Sequence, residues 1–175
     1  MMGGDRQTFD LVIDLVDDWI PQKAYGHERK FQSELQEYLD QQLNENQNQG
    51  GMPALGGEPR DLPVSTERGK SVADVVVDDL VGIELKRDLS NSQTKKLRGQ
   101  INEYLQEYPF VIACACGIED SDGWRRLKND LEGQSGFGMD QKEVVFIHKR
   151  KENFGKDPSE VGQNDDGFLG GGGLF

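Results

Sequence analysis

The segment Ser71–Arg87, SVADVVVDDLVGIELKR, constrains this chain more than any other. Val81, Ile83 and Leu85 alternate with Gly82, Glu84 and Lys86, so an extended strand puts three apolar side chains on one face. Glu84 and Lys86 then share the opposite face. A two-residue turn at Asp78-Asp79 would oppose Asp74 to Ile83 and Val75 to Glu84, mixing polar with apolar on both faces. A three-residue loop, Asp78–Leu80, opposes Val75 to Ile83, Val77 to Val81, Asp74 to Glu84 and Val72 to Lys86. Only that pairing, or an equivalent bulge near Gly82, segregates the faces. Asp74, Glu84 and Lys86 are therefore expected on one patch of sheet.

The flanking patterns predict an α/β fold. Phe9, Val12, Ile13, Val16 and Ile20 recur at helical spacing over residues 5–20, with Pro21 as a stop. A second helix is expected over 26–44, with Phe31, Leu35, Tyr38, Leu39 and Leu43 inward. Residues 62–66, 71–77 and 80–87 read as three short strands. A helix over 92–108 follows from Leu97, Ile101, Tyr104, Leu105 and Tyr108, with Pro109 ending it. Residues 110–116 read as a buried strand, 122–131 as a short helix and 143–148 as a last strand. Cys114 and Cys116 lie in that buried strand at i, i+2, where they read as small hydrophobes on one face.

Charge limits the function. The 175 residues carry 32 Asp and Glu against 20 Lys and Arg, a net charge of -12. The whole molecule is thus not expected to bind DNA or anionic lipid nonspecifically. So acidic a surface suits molar salt, where the screening length falls to about 3 Å, and points to a halophilic archaeon or its virus or mobile element. An acidic interaction surface is the alternative. No run of about 18 apolar residues is present, and Met1–Gln7 lack a basic and an apolar leader region, so a cytoplasmic location is expected.

Two carboxylates set opposite each other repel unless a cation bridges them. Oxygen ligands suit Mg²⁺ or Mn²⁺, and a neighbouring lysine can orient or deprotonate a water beside that ion. Such an assembly hydrolyses phosphodiesters.

Asp74, nine intervening residues and Glu84-Leu85-Lys86 resemble the PD-(D/E)XK nuclease superfamily, with Ala73 where the family usually has proline. The resemblance spans residues 26–117 and implies a restriction-endonuclease-like core: a mixed central sheet with a three-strand meander, flanked by helices. The chain then divides into an N-terminal helical extension (1–25), a nuclease-like domain (26–150) and a Gly- and Asp-rich tail (151–175). Composition makes the Asn-, Gln-, Gly- and Pro-rich 44–63 a mobile loop, with little to bury, and the tail disordered. The resemblance implies a Mg²⁺- or Mn²⁺-dependent deoxyribonuclease with Asp74, Glu84 and an upstream carboxylate as metal ligands and Lys86 as a catalytic residue. Glu28 fits that carboxylate, with Phe31 and Leu35 keeping it on the buried side, and Glu34 is held in reserve. Glu28 also reads simply as an acid favoured at a helix N-terminus.

Gln100 and Tyr104, four apart on one helix, are similar to the Gln-x-x-x-Tyr helix of recombination-nuclease and phage-exonuclease branches, which implies catalytic duty for Gln100 and DNA contact for Tyr104. Their plainer reading is a solvated neighbour and a core aromatic. Residues 66–100 sum to +1 and the rest of the chain to -13. Arg68, Lys70, Arg87, Lys95, Lys96 and Arg98 in that window are the DNA-contact candidates. His27 adjoins Glu28 and reads as a surface histidine, and His148 ends a strand in the basic run His148-Lys149-Arg150-Lys151, which reads either as a DNA contact or as a solvated edge. The resemblance allows a homodimer, and Phe168, Leu174 and Phe175 allow a protein partner to dock on the tail. A non-catalytic nuclease-fold module, binding DNA or serving in an assembly, is the alternative function.

Overall fold

A computed structural model describes residues 2–45, 61–66, 73–135 and 141–161. Four α-helices, α1 (Met2–Asp18), α2 (Glu28–Asp40), α3 (Asn91–Glu107) and α4 (Ser121–Leu131), surround one mixed sheet. Its strands are β1 (Val64–Thr66), β2 (Val75–Val77), β3 (Val81–Leu89), β4 (Phe110–Ile118), β5 (Gly133–Ser135) and β6 (Lys142–Lys149), in the spatial order β1-β2-β3-β4-β6-β5. β1, β2 and β3 form an antiparallel meander, β3, β4 and β6 run parallel, and β5 pairs antiparallel to β6.

Over Val75–Val77 the hairpin register is the one the patterning requires, with Val75 facing Ile83 and Val77 facing Val81. The strand expected over 71–77 starts only at Val75, so Asp74 and Glu84 are not ladder partners, and Val72 lies outside the described residues. Asp78 and Asp79 take positive φ (52° and 50°), and the Leu80 N–H donates to the Val77 carbonyl at 2.9 Å. That tight turn suits the right-handed twist of the strands it joins, and Asp tolerates the left-handed region better than most residues. Leu80 is the extra residue that restores the alternation.

The sheet separates two apolar layers. On one side α1 and α2 bury Phe9, Val12, Val16, Phe31, Leu35 and Leu39 against Val75, Ile83, Leu85 and Ile112. On the other α3 and α4 bury Leu97, Ile101, Trp124 and Leu127 against Val76, Val111, Ala113 and Ala115. Phe9 stacks on Phe110 with ring centroids 4.3 Å apart, so α1 is a wall of the main core and not an appendage beside it. The helix stops at Asp18, two residues before the expected end, and Trp19 turns inward beside Pro21.

Three further differences have physical causes. α2 ends at Asp40 and passes into a π-helical turn, Gln41–Glu45, which keeps Leu43 buried. The Asn44 amide then exchanges two hydrogen bonds with the Leu62 backbone, 2.9 and 2.8 Å, so the ends of the expected 44–63 loop are tied together; residues 46–60 lie outside the described residues. The expected disordered tail is ordered over 151–161: a 3₁₀ turn at Lys151–Asn153 brings Phe154 against Phe31, and the Gly155 N–H donates to the Pro21 carbonyl at 2.9 Å. Residues 162–175, with Phe168, Leu174 and Phe175, lie outside the described residues. β5 has three residues and no alternating pattern, so nothing in its sequence announces it. No helix among the described residues is long and apolar enough to cross a membrane.

Candidate functional site

β2 pairs with β3 only as far as Val75↔Ile83. Beyond that point β3 continues for six residues with its β2-side edge uncovered, and buried backbone donors there need other acceptors. Two carboxylates supply them. Asp74 Oδ2 accepts from the Leu85 N–H at 2.8 Å, and Glu28 Oε2, from the first turn of α2, accepts from the Arg87 N–H at 3.3 Å. The notch where β2 leaves β3 is therefore lined with acids because the backbone there requires them.

Glu84 and Lys86 project from β3 into the same notch, on the α3 side of the sheet. Glu84 is 1% exposed. Its Oε1 accepts from the Lys86 ammonium and its Oε2 from the Tyr104 hydroxyl. The same ammonium lies 3.9 Å from Glu28 Oε1. Asp74, Glu84, Lys86 and Glu28 are thus one cluster of three carboxylates around one cation. Asp74 shows the excess of negative charge: burial first, then the neighbouring Glu84, push its carboxyl up from 3.8 to about 8, against the opposing pull of the Leu85 N–H and Lys86.

Glu34, the reserve carboxylate, is committed elsewhere. Its two oxygens accept from Trp19 Nε1 at 2.8 Å, Tyr25 OH at 2.7 Å and the Gln22 N–H at 3.0 Å. It clamps the α1–α2 connection, and this hydrogen bonding pushes the Tyr25 hydroxyl up to about 12. Glu28 is the upstream acid that reaches the notch.

Tyr104 is 2% exposed and holds Glu84 through its hydroxyl, so its contact is with the carboxylate; the expected DNA contact is corrected to this positioning role. Gln100 sits one turn before it on the same stripe of α3, and its side-chain oxygen is buried with no hydrogen-bond partner among the described residues. Lys96 precedes Gln100 by one further turn and is exposed, as is Lys95. Arg98 is exposed and paired with Asp130 at 2.7 Å, and Arg87 lies beside Asp88 at 3.2 Å. Arg68 and Lys70 lie outside the described residues. His27 is an exposed residue preceding α2, and His148 is half-buried on β6.

A separate cleft of about 860 Å³ opens on the α1–α2 side, among Asp17, Asp18, Trp19, Tyr38, Lys149 and Phe154. Within the basic run 148–151, Lys149 is buried, which corrects its reading as a DNA contact or a solvated edge. It ends an apolar strand, is 5% exposed and donates to the Asp17 carbonyl at the end of α1. Burial holds its ammonium below the usual lysine range. Arg150 and Lys156 also line the cleft, so it sets three basic side chains against two acids and has none of the carboxylate convergence of the notch.

Among the described residues no three His, Cys, Asp or Glu side chains are already gathered around an ion-sized centre. The donors at the notch are nonetheless all oxygens, the chemistry hard divalent ions take. The charge imbalance at Asp74 is what an added cation would relieve. Lys86, on a flexible stem, is the group that would give way. Compared with protein-family models, curated proteins and solved structures, the chain has no match.

Proposed function

We propose that this chain is a divalent-metal-dependent deoxyribonuclease of the PD-(D/E)XK kind, with the β2–β3 notch as its active site. The observation that supports this most is the convergence of Asp74, Glu84, Lys86 and Glu28 where β2 parts from β3. Asp74, Glu84 and Glu28 would hold Mg²⁺ or Mn²⁺. When bound, the ion supplies a Lewis acid for the phosphoryl oxygens and makes water more acidic.

The chain's own groups do the rest. Lys86 carries a mobile proton at Nζ and orients a water for attack on phosphorus. Tyr104 fixes the orientation of Glu84 from α3. Gln100 offers an amide oxygen to a water or to the substrate. Lys95, Lys96 and Arg98 hold the phosphate backbone beside the notch.

One observation favours a second reading, a non-catalytic nuclease-fold module. Both Glu84 oxygens are already taken, by Lys86 and by Tyr104. The deciding experiment is cleavage of single-stranded, duplex, flapped and four-way DNA in high salt, with Mg²⁺, Mn²⁺ or EDTA. Lys86→Arg keeps a cation on Glu84, and Glu84→Gln keeps an acceptor for Tyr104, so both variants retain the fold. Each is expected to lose at least about 100-fold in rate. Metal-dependent cleavage that survives unchanged in both, or a wild type that cleaves none of the four DNA forms, overturns the assignment.

A further inference from the structure

The sheet divides the protein's charge as well as its core. α1 and α2 together carry nine acids and three bases, a net of -6. α3 and α4 carry six bases and four acids, a net of +2 that the capping Asp120 between them lowers to +1, within a chain of -12. The two positive helices lie side by side. Asn91 Nδ2 and Thr94 Oγ1 donate to Asp120 at the start of α4, and Arg98 meets Asp130 near its end. Lys95, Lys96 and Arg98 on α3 and Arg125 and Arg126 on α4 are all exposed, with Arg125 paired to Asp122 at 2.6 Å. Lys95 and Lys96 have no ion-pair partner among the described residues. Lys96 is the outer member of the stripe that continues through Gln100 to Tyr104 and so to Glu84.

Among the described residues the ridge carries no exposed Phe, Trp or Tyr: Tyr104 and Trp124 are 2% and 9% exposed. Proteins that hold single strands combine a basic track with aromatic platforms for the unpaired bases. A basic track alone reads phosphates.

We propose that α3 and α4 form one phosphate-tracking ridge for duplex nucleic acid, with Arg125 and Arg126 of α4 extending the contact of Lys95, Lys96 and Arg98 away from the notch. This names the substrate class of the proposed nuclease and rests on that reading for its purpose, but binding to the ridge is measurable without cleavage.

The test is the affinity of the full chain, in EDTA, for a duplex of about 20 base pairs and for its single strand, titrated between about 0.2 and 1 M KCl. Arg125→Glu with Arg126→Glu is compared with Lys23→Glu with Lys156→Glu, the same charge change at exposed positions outside α3 and α4. The ridge variant is expected to bind duplex at least 10-fold more weakly at the lowest salt, with the slope of log K against log salt shallower by about 2. The control is expected to keep most of the affinity and the wild-type slope, and the duplex to bind tighter than the single strand. Equal losses in both variants, an unchanged slope in the ridge variant, or preference for the single strand would overturn the proposal. So would a ridge variant that alters only self-association, seen by sedimentation, because the positive layer of one copy would then be meeting the negative layer of another. A wild type that binds duplex through the ridge yet cleaves nothing sinks the nuclease assignment and leaves the ridge standing.

Discussion

Replacing Asp74 by Asn separates the energetic character of the notch from its chemistry. Asn keeps an oxygen for the Leu85 N–H, which Asp74 receives at 2.8 Å, and removes the ionisable group. In the folded chain without metal, burial and Glu84 push the Asp74 carboxyl from 3.8 to about 8. A carboxyl whose folded value is raised contributes stability fully below the unfolded value. That contribution is lost as pH rises toward the folded one, because the unfolded chain releases a proton the native chain retains. Between pH 3.8 and pH 7 the loss amounts to about 4 kcal/mol at 1.36 kcal/mol per unit, which takes the Coulomb and burial effects at full strength. The Asp74→Asn protein escapes it. In EDTA at pH 7 the variant is expected to melt higher than wild type, by on the order of 10 °C for a chain of this size, with the gap closing as pH falls toward 4. Saturating Mg²⁺ is expected to raise the wild type and leave the variant nearly unmoved, since only the wild type keeps the full acidic set. Differential scanning calorimetry across pH, with EDTA or Mg²⁺, measures both. A variant that melts at or below wild type at pH 7 in EDTA would refute the claim that electrostatic strain at Asp74 governs this notch.

Other perturbations follow from the same geometry. Tyr104→Phe removes the hydroxyl that Glu84 accepts from and is expected to cost about 1–3 kcal/mol by chemical denaturation, with a larger loss in kcat than in KM if Glu84 is then misaligned. Glu34→Ala strands the donors of Trp19, Tyr25 and Gln22 and is expected to destabilise by about 2 kcal/mol or more, measured as a fall in urea midpoint at constant m-value. Phe9→Ala opens a cavity under Phe110 and is expected to cost about 3–5 kcal/mol, where a detachable N-terminal helix would cost almost nothing.

The sequence by itself determined the β2–β3 hairpin. Side chains alternate with a period of two, so the apolar set Val75, Val77, Val81, Ile83 and Leu85 admits one register, and that register brings Asp74 beside the Glu84 strand whatever else the chain does. The helical spacing of Phe31, Leu35 and Leu39 likewise specified α2, and with it the orientation of Glu28 at its start. What tertiary structure alone decided lies across longer separations. Glu28 and Glu34 are both plausible on their helix. Only the path of residues 19–25, wrapped so that Trp19, Tyr25 and the Gln22 N–H all meet Glu34, shows that Glu34 is committed and Glu28 reaches β3. The burial of Lys149 under α1, the ordering of 151–161 by Phe154 on Phe31, and the alignment of α4 with α3 into one positive layer join residues tens of positions apart. Local periodicity carries no record of such pairings, because their free energy comes from surfaces that exist only once the sheet has assembled.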